Sequence, residues 1–273
     1  MSVPVCLSIA GSDSGGGAGI QADLKAFAYF KTFGTTAITA VTAQNPSGVT
    51  GILPVPVDQV MAQYHAVNES MAVSAIKTGM LTNAEIIDAV CDQLESVHGM
   101  PIIVDPVLVA TSGDRLLDED AAELLIERLL PLATLITPNI DEAEVITEQP
   151  LPDDIALSEA VVELAANFKC SVLLKGGHHT DKDFAIDYLA LGDVTYRLRS
   201  PIVHAKSTHG TGCALSAAIA ANLAAGKDMI TAVAAAKAYV HHSLEGCDAI
   251  GPDAWALIAP DLNDESIVEV DIL

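Results

Sequence analysis

A glycine-rich segment near the start of the chain carries a residue pattern suited to binding a phosphate group. Gly11–Gly19 holds five glycines in nine residues. Glycine lets a backbone come close to a ligand and leaves N–H groups exposed at the start of a helix. The segment lacks the Lys-Ser/Thr ending of a Walker A loop, and its glycine spacing does not satisfy GxGxxG. A turn with a purely structural role is therefore the open alternative.

A second segment, Ser207–Cys213, offers a more specific pattern at the start of an apolar helical stretch. Gly210 and Gly212 remove side chains from the helix N-terminus, so that successive N–H groups can hold a phosphoryl group during its transfer. Cys213 falls in the first helical turn, where we expect the helix dipole to lower the pKa of the thiol toward neutrality. A thiolate at this position can accept the proton of an alcohol. A buried cysteine without a chemical role is the alternative.

Acidic residues follow two of the predicted strands. Asp105 comes directly after an apolar strand, Asn139 ends the next one, and Asp141, Glu142 and Glu144 then begin a helix. A carboxylate at a strand end beside another at a helix start is suited to hold a hydrated Mg²⁺ against phosphate oxygens. Closely spaced acids are also typical of a solvated helix start, so which acid serves is left open.

Basic residues are scarce, and a few of them stand at unusual places. Lys175 ends an apolar strand in front of Gly176 and Gly177, which makes it a candidate phosphate ligand. Lys206 and Lys237 are further candidates, because Lys237 interrupts an Ala-rich helix in which a charge is otherwise unfavourable.

Other polar residues each allow two interpretations. Asp23 lies one turn into the helix after the first glycine segment, where a ligand contact and a favourable interaction with the helix dipole are equally open. Several histidines suggest a metal site, but the chain contains no HxxxH or HExxH motif, so polar loop residues or helix caps are the simpler interpretation. These histidines are His178, His179, His209, His241 and His242.

Apolar runs alternate with amphipathic segments and must position these side chains. The predicted strands are Val3–Ala10, Thr36–Val41, Ala75–Gly79, Ile102–Pro106, Leu135–Thr137, Ser171–Lys175 and Ala185–Leu191. The predicted helices are Gly19–Phe33, Asp58–Met71, Ala84–His98, Asp118–Leu130, Ser158–Phe168, Thr211–Ala225 and Met229–Leu244. Several strands are continuous apolar runs, as in strands buried on both faces of a parallel sheet. The pattern predicts a doubly wound α/β fold with a mostly parallel central sheet and helices on both faces.

Residues 1–273 are predicted to form one domain, since no linker or repeat interrupts the alternation. The acidic tail, residues 262–273, is predicted as an edge strand or a loose end. In open α/β sheets, ligands bind beyond the carboxyl ends of the strands, where the candidate residues lie.

Composition and charge exclude several classes of protein. Hydrophobic residues make up 51% of the chain and aromatic residues only 4%, which suits helices layered on a parallel sheet. A net charge of −23 argues against nucleic acid or an anionic membrane as a partner. The five cysteines form no CxxC pair, which argues against a disulfide framework or a structural zinc site. Without a signal-peptide pattern, we expect a soluble, cytoplasmic protein.

Ordered sequence blocks strongly resemble the bacterial hydroxymethylpyrimidine/phosphomethylpyrimidine kinases of thiamine biosynthesis, which belong to the ribokinase-like superfamily. The blocks run in family order from about residue 7 to about residue 245. They are Ala10–Asp13 with Gly16–Asp23, Thr42–Asn45, Lys77–Leu81, Asp105–Val107, Thr137–Asn139, Lys175–His178 and Thr208–Cys213.

This resemblance implies an ATP- and Mg²⁺-dependent phosphotransferase that acts as a homodimer. The implied reaction phosphorylates 4-amino-5-hydroxymethyl-2-methylpyrimidine and then its monophosphate to the diphosphate. Gln44 is expected to bind the ring, Asp23 its hydroxymethyl or amino edge, and Asp105 and Glu142 the Mg²⁺. The expected pocket residues are Gly11, Ala18, Asp23, Gln44, Met80 and Val107. The expected ATP contacts are Asn139, Lys175, Thr208 and Lys237, and the anion hole comprises Gly210, Thr211, Gly212 and Cys213, with Cys213 as the base.

Three other functions stay open at this point. A pyridoxal or pyridoxine kinase acts on a nearly isosteric ring, and some short bacterial pyridoxal kinases share Cys213 where most ribokinase-like enzymes have Asp; Met80 favours the pyrimidine. A dinucleotide-binding oxidoreductase is disfavoured because GxGxxG is missing and no acid ends the second strand. A non-catalytic ligand sensor on the same fold is disfavoured by the intact candidate catalytic positions.

Overall fold

A ten-stranded sheet forms the centre of the molecule. The computed structural model describes residues 3–46, 48–108, 117, 119–177 and 181–273. Its strands are β1 (Val5–Asp13), β2 (Phe33–Asn45), β3 (Gly48–Pro54), β4 (Val73–Thr78), β5 (Ile102–Val104), β6 (Leu135–Ile136), β7 (Ser171–Lys175), β8 (Phe184–Leu191), β9 (Val194–Pro201), β10 (Asp248–Gly251), β11 (Ala254–Ala256) and β12 (Glu269–Ile272). Its α-helices are α1 (Gly19–Tyr29), α2 (Val57–Asn68), α3 (Ala84–Leu94), α4 (Glu119–Leu124), α5 (Ile140–Thr147), α6 (Asp154–Phe168), α7 (Thr211–Ala224) and α8 (Met229–Glu245).

The strand order of the sheet is β12-β9-β8-β7-β6-β5-β4-β1-β2-β3, and β10 and β11 form a separate hairpin. Strands β2, β1, β4, β5, β6 and β7 are mutually parallel, and antiparallel strands extend this core on both sides. Strand β1 pairs with β2 on one side and with β4 on the other, so the winding direction changes there. Such a switch point leaves a crevice beyond the carboxyl ends of the strands.

Helices cover both faces of the sheet because successive strand residues point to opposite sides. Leu7 and Ile9 of β1 pack under α2–α6, in the same cluster as Val172 and Leu174 of β7. Their neighbours in sequence, such as Cys6 and Leu173, pack with α1, α7 and α8 on the other face. The small side chains of α7 are largely buried between the sheet and the helices beside it. No helix in the described ranges is both long and apolar enough to cross a membrane.

The predicted strands are all confirmed, with shifts at their ends, and the prediction of a doubly wound sheet is confirmed as well. Strands β3 and β9 and the β10–β11 hairpin were not predicted. The tail forms an edge strand, β12, which pairs with β9 through Arg197–Asp271 and Arg199–Glu269 ion pairs. The predicted helix over residues 118–130 is confirmed from residue 119 onward, and its α-helical part, α4, continues as a π-helix over Leu125–Leu129 and a 3₁₀ helix over Leu130–Leu132.

Candidate functional site

Helix α7 begins against the first glycine segment. Gly210 caps the helix with φ +85°, and a side chain on it would collide with the carbonyl group of Gly17. Left-handed backbone in such close contact is open to glycine and costly for other residues. The N–H and hydroxyl groups of Thr211 both donate to the carbonyl of Thr208, at 3.3 and 2.9 Å. The two segments suited to phosphate binding therefore lie side by side.

Charged side chains from two other strand ends meet at the first turn of α7. A Cβ atom on Gly212 would lie 3.4 Å from Lys175 Nζ and 3.8 Å from Asp105 Oδ2. Lys175 Nζ donates to Asp105 Oδ1 at 3.0 Å. We call this meeting point, formed by Gly210, Gly212, Lys175 and Asp105, the phosphate cradle. Its N–H groups and ammonium group can stabilise an anion at the positive end of the helix dipole.

The buried carboxylate of Asp105 anchors the Lys175 side chain of the cradle. This carboxylate, which is 3% exposed, accepts hydrogen bonds from Lys175, from Thr137 Oγ1 at 3.3 Å and from Ser216 Oγ at 3.2 Å. Burial alone would raise the pKa of Asp105, but Lys175 and Lys77 outweigh burial and lower it. Asp105 is therefore ionised at neutral pH and fixes the position of the Lys175 ammonium group.

Glu142 lies beside this pair at the start of α5. Asn139 and Glu142 form a capping box: Glu142 N–H donates to Asn139 Oδ1, and Asn139 N–H donates to Glu142 Oε2, both at 2.8 Å. Burial raises the pKa of Glu142, and the nearby Asp105 raises it further, while Lys175 opposes both effects. Two buried carboxylates thus share one ammonium group, which leaves negative charge for a cation to compensate.

Gly11, Gln44 and Met80, three of the residues predicted to line the ring pocket, lie near the carboxyl ends of β1, β2 and β4. A Cβ atom on Gly11 would lie 2.7 Å from Met80 Cε, so glycine at this position makes room for Met80. Gln44 Nε2 lies 3.3 Å from His209 Nε2, which links the end of β2 to the loop before α7. Val107 follows β5 with φ +48°, a strained conformation for a β-branched residue and one that clusters at functional sites.

Asp13 organises the first glycine segment, a role that sequence reasoning missed. Its carboxylate accepts the N–H groups of Gly15, Gly17 and Ala18 at 2.7, 3.0 and 2.8 Å. Its Oδ2 also lies 3.2 Å from His209 Nε2. An acid directly before a glycine-rich turn was the available signal, since Asp side chains commonly accept local N–H groups in turns.

The sequence matches the family model described as phosphomethylpyrimidine kinase over residues 13–256. The chain belongs to this family. A relative of this kinase, the hydroxymethylpyrimidine/phosphomethylpyrimidine kinase of Rhizobium meliloti, is 47% identical over 248 residues, which make up 89% of this chain and 91% of the relative. The resemblance inferred from the sequence blocks is thereby confirmed.

Solved structures resemble this phosphomethylpyrimidine kinase along most or all of its length. The phosphomethylpyrimidine kinase of Clostridium difficile 630 has a TM-score of 0.77 and 38% identity, over 87% of this chain and 97% of the other. The pyridoxal kinase of Staphylococcus aureus in complex with AMP-PCP and pyridoxal has a TM-score of 0.88 and 31% identity, over 100% of both chains. The ribokinase-like α/β fold expected for this kinase is confirmed.

Three of the predicted side chains of the kinase have surroundings that the sequence did not reveal. The first is Asp23, which was expected to contact the substrate. Its side chain is 0% exposed, and it accepts hydrogen bonds from Ser8 Oγ at 2.5 Å and from Lys77 Nζ at 2.9 and 3.0 Å. Because its oxygens are held by these donors beneath the surface, Asp23 acts as the counter-ion of Lys77.

Lys237, which was expected to contact ATP, is the second of these side chains. Its side chain is 7% exposed, and Nζ donates to Asp187 Oδ2 at 2.6 Å. Asp187 Oδ1 in turn accepts the Gly176 N–H at 3.1 Å, directly after Lys175. Through Asp187, Lys237 therefore supports the loop that begins directly after Lys175. His178 in the same sequence block lies outside the described residues.

Cys213 is the third of these side chains, and its expected pKa is wrong. Burial raises the pKa of the Cys213 thiol to about 11; Lys77 opposes this shift, while Asp105 and Asp23 add to it. Desolvation is thus the largest effect on this thiol. This kinase holds a neutral thiol at position 213 at physiological pH, in contrast to the thiolate that was predicted.

Lys77 has no predicted role, yet it lies under the cradle. Its side chain is fully buried. Burial would lower the pKa of Lys77, but the carboxylates of Asp23 and Asp105 raise it. A lysine inside the apolar strand β4 was the available signal, because a buried ammonium group requires a buried partner.

Proposed function

We propose that this kinase transfers the γ-phosphate of ATP to the hydroxymethyl group of 4-amino-5-hydroxymethyl-2-methylpyrimidine, and then a second phosphate to the monophosphate. The observation that carries the proposal is the convergence of Gly212, Lys175 and Asp105 at the start of α7. The cradle joins N–H donors and an ammonium group at the carboxyl edge of the parallel strands, where the transferred phosphoryl group needs charge stabilisation. The names of the relatives support the same substrates.

In this proposal the hydroxymethyl oxygen attacks the γ-phosphorus while the bond to the ADP oxygen breaks. The hydroxyl proton passes to an oxygen of the transferred phosphoryl group and is then lost to solvent. The Gly210–Cys213 backbone and Lys175 stabilise the equatorial oxygens, and Asn139 and Thr208 contact ATP. Gln44, Met80, Gly11, Ala18 and Val107 orient the ring. A loose transition state makes positioning and electrostatics the main contributions, so the neutral Cys213 thiol need not act as a preformed base.

Asp105 and Glu142 fit a hydrated Mg²⁺ that arrives with the nucleotide. Carboxylate oxygens are the ligands that Mg²⁺ prefers, and the ion usually keeps several water ligands. The pKa of Glu142 is raised by burial and by Asp105, which is the electrostatic environment that a divalent cation relieves. When bound, the ion neutralises charge on the phosphates. Lys175 holds Asp105 in place by a direct ion pair.

Pyridoxal phosphorylation is the second candidate function. The specific observation in its favour is the match to the Staphylococcus aureus pyridoxal kinase across the whole of both chains. Both rings carry a hydroxymethyl group, so the same cradle can serve either. Discrimination then depends on the few hydrogen bonds and contacts that Gln44 and Met80 make to the ring.

A steady-state assay of ADP release with MgATP and each ring alcohol tests the proposal. We expect kcat/KM for the pyrimidine alcohol to exceed that for pyridoxal by about 10–100-fold, the ratio that one or two hydrogen bonds supply. A pyrimidine with a methyl group in place of the hydroxymethyl group controls for ATP hydrolysis. Preference for pyridoxal would establish the second candidate, and ADP release that neither alcohol stimulates would refute both.

Binding can be followed separately from turnover. Trp255 is the single tryptophan of the chain and lines a small cleft with Asp13, Gly17 and His209 beside the glycine segment. A change in its fluorescence on adding the pyrimidine alcohol reports binding next to the cradle. The homodimer implied by the sequence resemblance is part of the proposal and is tested by sedimentation of the protein.

A further inference from the structure

Potential metal ligands converge on the last turns of α8, and the proposed kinase reaction uses none of them. His241, His242 and Glu245 each offer one ligand atom, and these atoms lie within 4.8 Å of one another. His241 Nε2 is 3.6 Å from Glu245 Oε1, and His242 Nδ1 is 2.8 Å from Glu245 Oε2. Their spacing along the helix places all three side chains at the same end of α8.

A backbone carbonyl group holds the His242 ring from outside the cluster. His242 Nε2 lies 3.2 Å from the carbonyl oxygen of Asp264, in the turn before β12. The ring of His241 is 5% exposed and packs inside the molecule. Histidines that bind metals almost always donate the second ring N–H to an acceptor such as a backbone carbonyl, which orients the ring.

His242 has an acceptor beside each ring nitrogen, the Glu245 carboxylate and the Asp264 carbonyl. A neutral imidazole carries one N–H group. When that N–H group donates to Asp264, the lone pair of Nδ1 faces the Glu245 carboxylate at 2.8 Å and is available to a metal ion.

We propose that His241, His242 and Glu245 form a binding site for a first-row divalent cation such as Zn²⁺. Two imidazole nitrogens and one carboxylate oxygen are ligands typical of zinc, with water completing a tetrahedron. Bond lengths of about 2.0–2.1 Å in a tetrahedron place ligand atoms about 3.3 Å apart. The two ring nitrogens approach different oxygens of the Glu245 carboxylate, at 2.8 Å (Oε2) and 3.6 Å (Oε1), distances on either side of that value.

The ion would have a structural role in joining two segments. The ligands are on α8, and the carbonyl group that His242 contacts is in the turn before β12. Lys237 lies one helical turn before His241 and supports the Lys175 loop through Asp187. Fixing the end of α8 therefore stabilises the edge of the sheet and the support of the cradle.

Cobalt and zinc titrations of the tag-free protein after chelator treatment test this site. We expect one Co²⁺ per chain to bind with the visible absorption of a tetrahedral ion, and Zn²⁺ to displace it. His241→Ala, His242→Ala and Glu245→Gln should each weaken binding by at least the factor of about 10–100 that loss of a supporting partner costs. His98→Ala, at an exposed histidine remote in sequence, is the control and should bind as the wild type does.

The melting temperature provides a second test that does not depend on any single variant. Zn²⁺ should raise the melting temperature of the wild type and of His98→Ala, but not that of His242→Ala, whose side chain is only partly buried. Failure of both metals to bind in the micromolar range would overturn the proposal. Equal binding by the wild type and all three ligand variants would overturn it too, and the cluster would then be an imidazolium–carboxylate contact.

Discussion

His209 Nε2 lies 3.2 Å from Asp13 Oδ2, and this contact joins two loops that are 196 positions apart in the sequence. Asp13 also accepts three N–H groups of its own loop, and the His209 ring approaches Gln44 as well. One carboxylate thus sets the shape of the first glycine segment and its distance from the loop before α7. This contact therefore fixes the position of the phosphate cradle relative to the proposed ring pocket.

Asp13→Asn tests that role through stability. We expect the free energy of unfolding at neutral pH to fall by about 1–3 kcal/mol, the cost of weakening hydrogen bonds to a buried charged group. Burial would raise the pKa of Asp13, but the hydrogen bonds from Ala18, His209 and Gly15 lower it. Because the folded pKa lies below the unfolded value of about 3.9, the advantage of the wild type is complete above that pH and is lost as pH falls through the folded pKa.

Chemical denaturation of both proteins across this pH range measures the effect. Asp141→Asn, at an exposed acid in the first turn of α5, is the matched control and should change stability little at any pH. A difference between wild type and Asp13→Asn that stays constant down to the lowest pH would show that the Asp13 charge is not the cause.

Cys213→Ser tests whether a thiolate is needed. Because burial raises the pKa of Cys213 to about 11, the enzyme at neutral pH has a neutral thiol at this position. The hydroxyl group of serine is a close substitute for that thiol. We expect kcat to stay within about tenfold of the wild type, against the factor of about 10²–10⁴ that a general base contributes. The kcat of the wild type should also be flat between about pH 7 and pH 9. A loss of about 100-fold, with a wild-type rate that rises steadily with pH, would restore Cys213 as the base.

Lys237→Met tests whether Lys237 supports the Lys175 loop or contacts ATP. The substitution leaves Asp187 buried without its counter-charge, so we expect the free energy of unfolding to fall by about 3–5 kcal/mol. Adding Asp187→Asn should recover most of this loss, since Asn is neutral and still accepts the Gly176 N–H. The KM for ATP of the double variant should be close to that of the wild type. A stable double variant whose KM for ATP is raised about tenfold or more would indicate direct contact between Lys237 and the nucleotide.

Sequence patterns located the buried strands but not the exposed ones. The apolar runs of β1 and β7 could be predicted because both faces of these strands are covered by helices. All seven residues of β3 are exposed, so its sequence carries no alternation between buried and exposed positions, and pairing with β2 defines it. In β9, Arg197 and Arg199 alternate with the buried Leu198 and Ser200. This period-two pattern is typical of a strand, but it was not used to predict β9.

The cradle residues were identifiable from motifs, whereas the partners of buried charges were not. Lys175 and Asp105 stand at strand ends, and the fold brings strand ends of a parallel sheet to one edge. Asp23 pairs with Lys77 across 54 positions and Lys237 with Asp187 across 50. A single sequence shows that such charges exist but not which pairs the folded chain forms. Asp23 and Lys237 were therefore predicted to contact ligands.

Gly212→Ala gives the most direct test of the phosphate cradle. The added methyl group would lie 3.4 Å from Lys175 Nζ, within the space proposed for the transferred phosphoryl group, and Gly212 has no left-handed backbone to strain. Alanine in a helix is also favoured over glycine by about 0.5–1 kcal/mol, so the fold should be as stable as the wild type or more so. We predict that kcat for phosphorylation of the pyrimidine alcohol falls by about 100-fold or more while the melting temperature does not fall, as expected when a pre-formed anion hole is blocked. A stable Gly212→Ala enzyme with the kcat of the wild type would contradict the account.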